Sequence, residues 1–253
     1  MVIGIIQARL GSTRLPAKVL KKMGDRTILE HIFLRVSKAQ LMDQVWVVTS
    51  TEPQDDRLEA FCKEKSIPVF RGSEWDVLDR FYQATQQLSE TPEAIVRMTA
   101  DCPLHHGKVV DFGIQQFKDR GVDYFSNSNN EPDYLEDGFD VEVFSYESLA
   151  TAWGEAKLLS EREHVTPFIK NSGRFTCAWE KSHPDYNYKL SVDTLDDFTA
   201  VSKIFEELSD KPDFSIEEVV DLLKEKPEIL TLNQDSVINA GYKKSLDHDR
   251  IVK

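Results

Sequence analysis

A small-residue loop rich in positive charge lies near the amino end of the sequence. It carries Arg9, Arg14 and Lys18, and no Asp or Glu occurs before Asp25, although the 253-residue chain has a formal net charge of -13. The small residues at 11–13 would let the backbone approach a ligand and would supply amide and hydroxyl donors. Cations and donors in this pattern predict a polyanion site, and a triphosphate is the favoured ligand.

A buried strand precedes this loop. Residues 2–6 are apolar and rich in β-branched side chains, without polar alternation, which indicates a strand covered on both faces. Open α/β sheets bind ligands at the carboxyl ends of such strands. The loop lacks both the Walker A spacing and the dinucleotide fingerprint, since Gly11 is its single glycine. The alternative interpretation is an exposed basic turn that ends at Pro16.

The alternation of strands and helices predicts the fold class. Predicted strands at 2–6, 44–49, 67–70 and 94–99 alternate with predicted helices at 29–36, 55–65, 73–88 and 106–120. This order is typical of a three-layer α/β/α protein with a mostly parallel sheet. Later segments are predicted as strands at 140–144, 175–180 and 188–193, and as helices at 145–156, 160–170, 195–208 and 216–226.

No linker or internal repeat divides the sequence. We therefore expect a single domain over residues 1–226 and a mostly polar tail at 227–253 with local structure at most. Within the tail, Ile229, Leu230 and Leu232 are the candidates for burial.

Composition and charge argue against several classes of function. No apolar run is long enough for a membrane span or fits a signal peptide, and the acidic balance disfavours nucleic-acid binding. The three cysteines, Cys62, Cys102 and Cys177, are widely spaced, which argues against a disulfide framework or a structural zinc site. We expect a cytoplasmic protein without nucleic-acid or membrane partners.

Asp101 is the first candidate metal ligand. It follows the predicted strand at 94–99 and would lie at the same sheet edge as Arg9. Mg²⁺ prefers oxygen ligands, usually one or two carboxylates completed by phosphate and water. Asp101 is therefore predicted to bind Mg²⁺, with a helix N-cap as the alternative.

Three further residues lie at or near the ends of predicted strands. Arg71 and Arg97 could contact the base, the ribose or a phosphate of the ligand, and the alternative is an ion pair with one of the many acids. Thr99 could contact the ribose.

Polar residues further along the chain leave more than one interpretation open. Asp140 and Glu142 are two apart on a predicted strand and share a face, which could bind an acceptor, a second metal or solvent. Arg162, Glu163 and His164 form a polar triplet. His164 could act as a general base, but an ordinary hydrogen-bonded helix histidine is the favoured interpretation.

Five sequence motifs follow one another along the chain, and the series identifies a family more specifically than any single motif does. The motifs are QARLGSTRLPAK at 7–18, FRGSEWDVLDRF at 70–81, VRMTADCPL at 96–104, DGFDVEVF at 137–144 and REHVTP at 162–167. Over residues 1–205 this series resembles the cytidylyltransferases that make CMP-activated acidic sugars, and it is most similar to the spore-coat polysaccharide cytidylyltransferase-like family. The resemblance implies a nucleotide-diphospho-sugar transferase-like fold, CTP and an acidic sugar or related acid as substrates, release of pyrophosphate, Mg²⁺ as cofactor and a possible homodimer.

The residue patterns and the resemblance together give each candidate a role. The expected catalytic residues are Arg9, Lys18 and Asp101, and the expected nucleotide-binding residues are Ala8, Arg9, Gly11, Ser12, Thr13, Arg14, Lys18, Arg71, Arg97 and Thr99. The expected acceptor-binding residues are Asp140, Glu142, Arg162, Glu163 and His164, within a region at 123–190 that partly serves acceptor or dimer contacts. By resemblance, Asp193 is the late aspartate that completes the metal site with Asp101, and the alternative is a cap of the helix that follows.

Two other functions remain open at this point. A nucleotide-binding protein without catalysis would not need both Asp101 and Asp193. A glycosyltransferase would normally carry Asp-x-Asp near mid-chain, whereas the one such triplet here is at 247–249. The basic loop also differs from that of the sialic-acid enzymes, which place paired glycines and a lysine there, so an octulosonic, nonulosonic or non-sugar acid could be the acceptor.

Overall fold

The chain folds around a seven-stranded sheet, as seen in a computed structural model that describes residues 1–129, 135–211 and 213–253. The strands are β1 (Val2–Gln7), β4 (Gln44–Ser50), β5 (Val69–Gly72), β6 (Ala94–Thr99), β7 (Tyr124–Ser126), β8 (Glu142–Ser145) and β9 (Cys177–Trp179), in the order β5-β4-β1-β6-β8-β7-β9. Among the described strands of this sheet, β8 alone runs antiparallel to its neighbours. A separate hairpin joins β2 (Lys22–Met23) and β3 (Arg26–Thr27).

Helices cover both faces of the sheet. They are α1 (Ile28–Val36), α2 (Asp56–Glu64), α3 (Val77–Thr85), α4 (Gly107–Arg120), α5 (Tyr146–Glu155), α6 (Leu159–His164), α7 (Pro167–Asn171), α8 (Leu195–Glu207), α9 (Ile216–Glu225) and α10 (Ala240–Asp247). One apolar core joins the sheet to α1, α2, α4, α8 and α9, and a second joins it to α3, α5 and α7. The predicted three-layer α/β/α fold is confirmed.

The central strand β1 explains why two cores exist. Val2 and Ile6 belong to one core, whereas Ile3 and Ile5 belong to the other, and all four side chains are buried. Successive side chains of a strand point to opposite faces, so an uninterrupted apolar run needs cover on both sides. Gln7 pairs with Thr99 in the parallel ladder of β1 and β6. The loops that follow these two strands therefore meet at one edge of the sheet.

Two expectations about regular structure were wrong. Residues 188–193 form no strand; Val192 N donates to Asp101 O at 2.7 Å, and Leu190 N donates to Asp137 O at 3.2 Å. The segment thus follows the loops at the sheet edge instead of joining the ladder. The single helix expected at 160–170 is divided into α6 and α7, because the backbone at Val165 has a φ of 70°.

The carboxyl-terminal segment is structured and packed against the domain. Ile229 is buried within a 3₁₀ helix (Pro227–Asn233), whereas Leu232 is 42% exposed. Leu159 N donates to Arg250 O at 2.9 Å, and Val252 N donates to Lys157 O at 2.8 Å.

The expected division into 1–226 and 227–253 stays a prediction. The region at 123–190 includes residues 130–134, which lie outside the described residues. Among the residues that the structure describes, none of the helices has the length and apolar character of a membrane span.

A buried ion pair between α3 and α6 gives a test of the packing. Arg162 is 1% exposed and donates to both carboxylate oxygens of Asp76, at 2.7–3.0 Å, and to Trp153 O at 2.7 Å. We expect Arg162→Ala to lower the free energy of unfolding by about 3–5 kcal/mol, because it leaves a buried carboxylate without its partner. Urea denaturation would measure the loss.

Arg174→Ala is the matched control for this substitution. Arg174 forms an exposed ion pair with Glu155, and such pairs contribute roughly 0–1 kcal/mol. Equal destabilisation by the two substitutions would contradict the structural role assigned to Arg162.

Candidate active site

Two adjoining cavities open at the carboxyl ends of β1 and β6. The larger has a volume of about 760 Å³ and the smaller a volume of about 270 Å³. The two cavities share the residues Gln7, Arg14, Thr99, Asp101, His164, Asp193, Ala240 and Gly241. They therefore form one continuous site with two compartments.

The basic loop lines the larger cavity. All of its predicted residues lie there, together with Thr99 and Asp101: Ala8, Arg9, Gly11, Ser12, Thr13, Arg14 and Lys18. The buried carboxylate of Asp55 fixes the loop, because it accepts a hydrogen bond from Leu10 N at 2.7 Å and another from the Ser50 hydroxyl. Sequence and structure agree on the position of this loop.

Lys18 joins the two aspartates that were predicted to bind metal. Its Nζ donates to Asp101 Oδ2 at 3.2 Å, to Asp193 Oδ1 at 2.9 Å and to Val192 O at 2.7 Å. Burial alone would lower the pKa of Lys18, but the charges of Asp101 and Asp193 outweigh it and raise that pKa. Burial alone would raise the pKa of Asp101, and the charge of Lys18 together with hydrogen bonds lowers it overall. This lysine therefore stays charged at neutral pH.

The same two aspartates are the carboxylates that were expected to hold a divalent cation. Arg14 also reaches Asp193 Oδ1, at 2.9 Å, so two carboxylates and two cations occupy the junction of the cavities. Among the described residues, no group of three or more His, Cys, Asp or Glu side chains could hold a metal ion. The protein thus offers two carboxylates here, which is the number that Mg²⁺ commonly takes when phosphate and water complete its shell.

The smaller cavity contains a carboxylate with many partners. Glu142 accepts hydrogen bonds from Tyr124 Oη at 2.5 Å, from Thr166 Oγ1 at 2.7 Å and from Lys170 Nζ at 3.1 Å, and it forms an ion pair with Arg97. Burial alone would raise the pKa of Glu142, but Lys170 and Arg97 lower it. Glu142 is therefore a fixed anion that holds these two cations in place.

A second acidic pair lies in this smaller cavity. Asp137 Oδ1 accepts from Ser191 N at 2.6 Å, and Asp140 Oδ1 accepts from Gly138 N at 3.1 Å. Burial and the charges of Asp137 and Asp101 raise the pKa of Asp140 to about 7. Asp140 was predicted to lie near the acceptor, whereas Asp137 was not singled out, although it opens the segment DGFDVEVF.

Two of the predicted site arginines lie outside both cavities. Arg71 lines neither cavity, because α2 holds it through ion pairs with Asp56 at 2.7 Å and Glu59 at 2.8 Å. Arg162 also lines neither cavity, since its guanidinium is used in the buried pair between α3 and α6. Arg97 lines the smaller cavity, where it pairs with Glu142. The expected nucleotide contact of Arg71 and acceptor contact of Arg162 are therefore corrected.

The carboxyl-terminal segment contributes to both cavities, which the sequence did not indicate. Its lining residues are Ala240, Gly241, Lys244, Ser245 and His248 in the larger cavity, and Asn239, Ala240, Gly241 and Tyr242 in the smaller one. Ser245 Oγ donates to Glu163 Oε2 at 2.7 Å and lies 2.9 Å from His164 Nε2. Glu163 lines the larger cavity and His164 lines both.

Comparison with known proteins identifies the family. The model of a family described as cytidylyltransferase matches residues 3–244. The spore coat polysaccharide biosynthesis protein SpsF of Bacillus subtilis is 31% identical over 244 residues, covering 91% of this chain and 97% of that protein. The uncharacterized protein MJ1063 of Methanocaldococcus jannaschii is 36% identical over 241 residues, covering 92% of this chain and 95% of that protein.

A solved structure agrees with these sequence matches. A cytidylyltransferase from Leptospira borgpetersenii serovar Hardjo-bovis superposes with a TM-score of 0.83 at 30% identity, covering 94% of this chain and 98% of that one. These matches place this chain in the cytidylyltransferase family.

Proposed function

We propose that this cytidylyltransferase transfers CMP from CTP to an acidic sugar or a related acid, with release of pyrophosphate, in the synthesis of surface polysaccharide precursors. The main support for this proposal is the contact of Lys18 with Asp101 and Asp193. This contact lies at the junction of the larger cavity, which is large enough for a nucleotide, and the smaller cavity. Binding alone would not need two carboxylates gathered at that junction. The similarity to SpsF supports the polysaccharide role.

The larger cavity fits the triphosphate of the nucleotide. Arg9, Arg14 and Lys18 would stabilise the charge that builds on the β- and γ-phosphates as pyrophosphate leaves. Asp101 and Asp193 would hold Mg²⁺, which would neutralise phosphate charge when bound. Lys18 keeps these two carboxylates together and limits their mutual repulsion.

The smaller cavity fits a hydroxyl-rich acid as acceptor. Arg97 and Lys170 supply positive charge for an acceptor carboxylate, while Asp137 and Asp140 supply hydrogen-bond acceptors for hydroxyl groups. Because Glu142 fixes both cations, the geometry exists before the acceptor binds, and this lowers the entropic cost of orienting the acceptor.

A nucleotide panel tests the proposed reaction directly. The full chain with Mg²⁺ would be incubated with CTP, UTP, ATP or GTP and with a panel of 2-keto sugar acids, and pyrophosphate release would be measured. We expect release with CTP and at least one acid, and only background release without an acid. Uptake of CTP without pyrophosphate release from any pair would favour a binding protein, and turnover of a nucleotide sugar would favour a glycosyltransferase.

Removal of the Lys18 charge tests its assigned role. We expect Lys18→Met to raise the barrier for kcat/KM by about 2–4 kcal/mol, because the leaving pyrophosphate loses a positioned cation. Steady-state kinetics would measure the change. Lys22→Met is the matched control, since Lys22 is exposed and lines neither cavity. Turnover of Lys18→Met equal to that of the control would refute the role.

The acidity of the smaller cavity predicts a dependence of stability on pH. The pKa of Asp140 rises from 3.8 to about 7 in the folded chain, so the folded state binds a proton that the unfolded state has released in this range. Stability from this group is therefore greatest below pH 3.8 and is lost as pH rises to about 7.

Asp140→Asn removes this dependence. We expect the variant to be more stable than the wild type at pH 8, by at least about 1 kcal/mol, and to show no such gain at pH 4. Denaturant unfolding at several pH values would measure the difference, with the exposed substitution Asp25→Asn as control. Parallel stability curves for Asp140→Asn and the wild type would contradict the assignment.

A further inference from the structure

A hydrogen-bonded chain at the junction of the two cavities fixes the proton on one ring nitrogen of His164. Ser245 Oγ lies 2.7 Å from Glu163 Oε2 and 3.2 Å from Gly241 O. A hydroxyl has one proton, and the carboxylate is both closer and charged, so Ser245 donates to Glu163. The remaining contact, 2.9 Å from His164 Nε2 to Ser245 Oγ, then requires that Nε2 carries the proton. His164 Nδ1 is left with its lone pair.

The lone pair of Nδ1 is available to a ligand. Nδ1 has no hydrogen-bond partner among the described residues, and the His164 side chain is 23% exposed where it lines both cavities. Burial lowers the pKa of His164 to about 4, and the positive charges of Arg97 and Lys170 act in the same direction. The charges of Glu163 and Glu142 act in the opposite direction but are outweighed, so the ring is neutral at pH 7. An incoming nucleoside triphosphate adds negative charge beside the ring and makes it easier for the ring to take up a proton.

Backbone strain beside His164 is a second, independent observation. Val165 is fully buried and has φ 70° and ψ -55°, and Thr166 N donates to His164 O at 2.8 Å. This is a γ-turn of the rare, strained kind, and a β-branched residue adopts it only when its surroundings impose it. Strain of this kind gathers at functional sites. The turn places His164 and Thr166 together in the smaller cavity.

We propose that His164 Nδ1 accepts the proton of the attacking hydroxyl, and that helix α10 fixes the tautomer through Ser245. This inference rests on the proposed function. In the step, the acceptor O–H bond breaks and its oxygen forms a bond to the α-phosphorus. The bond from that phosphorus to the bridging oxygen breaks, and pyrophosphate leaves with the electron pair. The proton stays on Nδ1, and Glu163 stabilises the charged ring through the Ser245 hydroxyl.

Two substitutions separate this role from simple packing of α10. His164→Gln keeps a donor that can reach Ser245 but lacks the Nδ1 lone pair. Ser245→Ala keeps the ring but releases its tautomer. We expect kcat to fall at least about 100-fold for His164→Gln and at least about tenfold for Ser245→Ala. KM for the acceptor and calorimetric CTP affinity should change less than about threefold. Lys243→Ala is the control, since Lys243 is exposed on the same helix and lines neither cavity.

Nitrogen-15 NMR of the full chain at pH 7 reads the tautomer without any turnover. We expect a neutral His164 ring protonated on Nε2 in the wild type, and a mixture of tautomers in Ser245→Ala. Protonation on Nδ1 in the wild type would overturn the proposal. If the wild type is active, a kcat in both variants equal to that of the wild type would also overturn the proposal. A wild type that binds CTP but releases no pyrophosphate with any acid would instead contradict the proposed function, and the base role with it.

Discussion

The contact of one mostly buried ammonium group with two partly exposed carboxylates is the constraint on which the site depends. Lys18 lies 83 residues from Asp101 and 175 residues from Asp193 along the chain, yet its Nζ is within 3.2 Å of both. An ammonium group withdrawn from water is costly without a charged partner, so the fold that covers most of Lys18 also brings the segments of Asp101 and Asp193 to it. The parallel pairing of β1 with β6 brings two of them together, and the hydrogen bond from Val192 N to Asp101 O brings the third.

Much of the fold and the position of the basic loop could be predicted from sequence. Apolar runs and helical spacing located the first four parallel strands, because such patterns depend on local periodicity alone. The basic loop and Asp101 could be placed together since the carboxyl ends of parallel strands share one edge. Residues 188–193 were misassigned for a related reason: alternating polarity resembles a strand even where the segment bonds to loops. Asp193, at the end of this segment, still contacts Lys18, as Asp101 does.

The remaining features depend on pairings that no local pattern reveals. Arg71 and Arg162 have the residue type of ligand contacts, but their partners Glu59 and Asp76 lie 12 and 86 residues away and are themselves part of the protein. The contact of Ser245 with Glu163 spans 82 residues and brings a polar tail helix to the active site. Charge and polarity therefore predict which residues need a partner, whereas only the fold decides whether that partner is a ligand or another side chain.

We expect CTP and a divalent cation to meet at Asp101 and Asp193. Anomalous diffraction from crystals of the full chain grown with CTP and Mn²⁺ would test it most directly. We expect one anomalous peak bonded to oxygens of both aspartates and to a phosphate oxygen, with the triphosphate along the loop that carries Arg9 and Arg14. A peak elsewhere, or a triphosphate bound away from this loop, would contradict it.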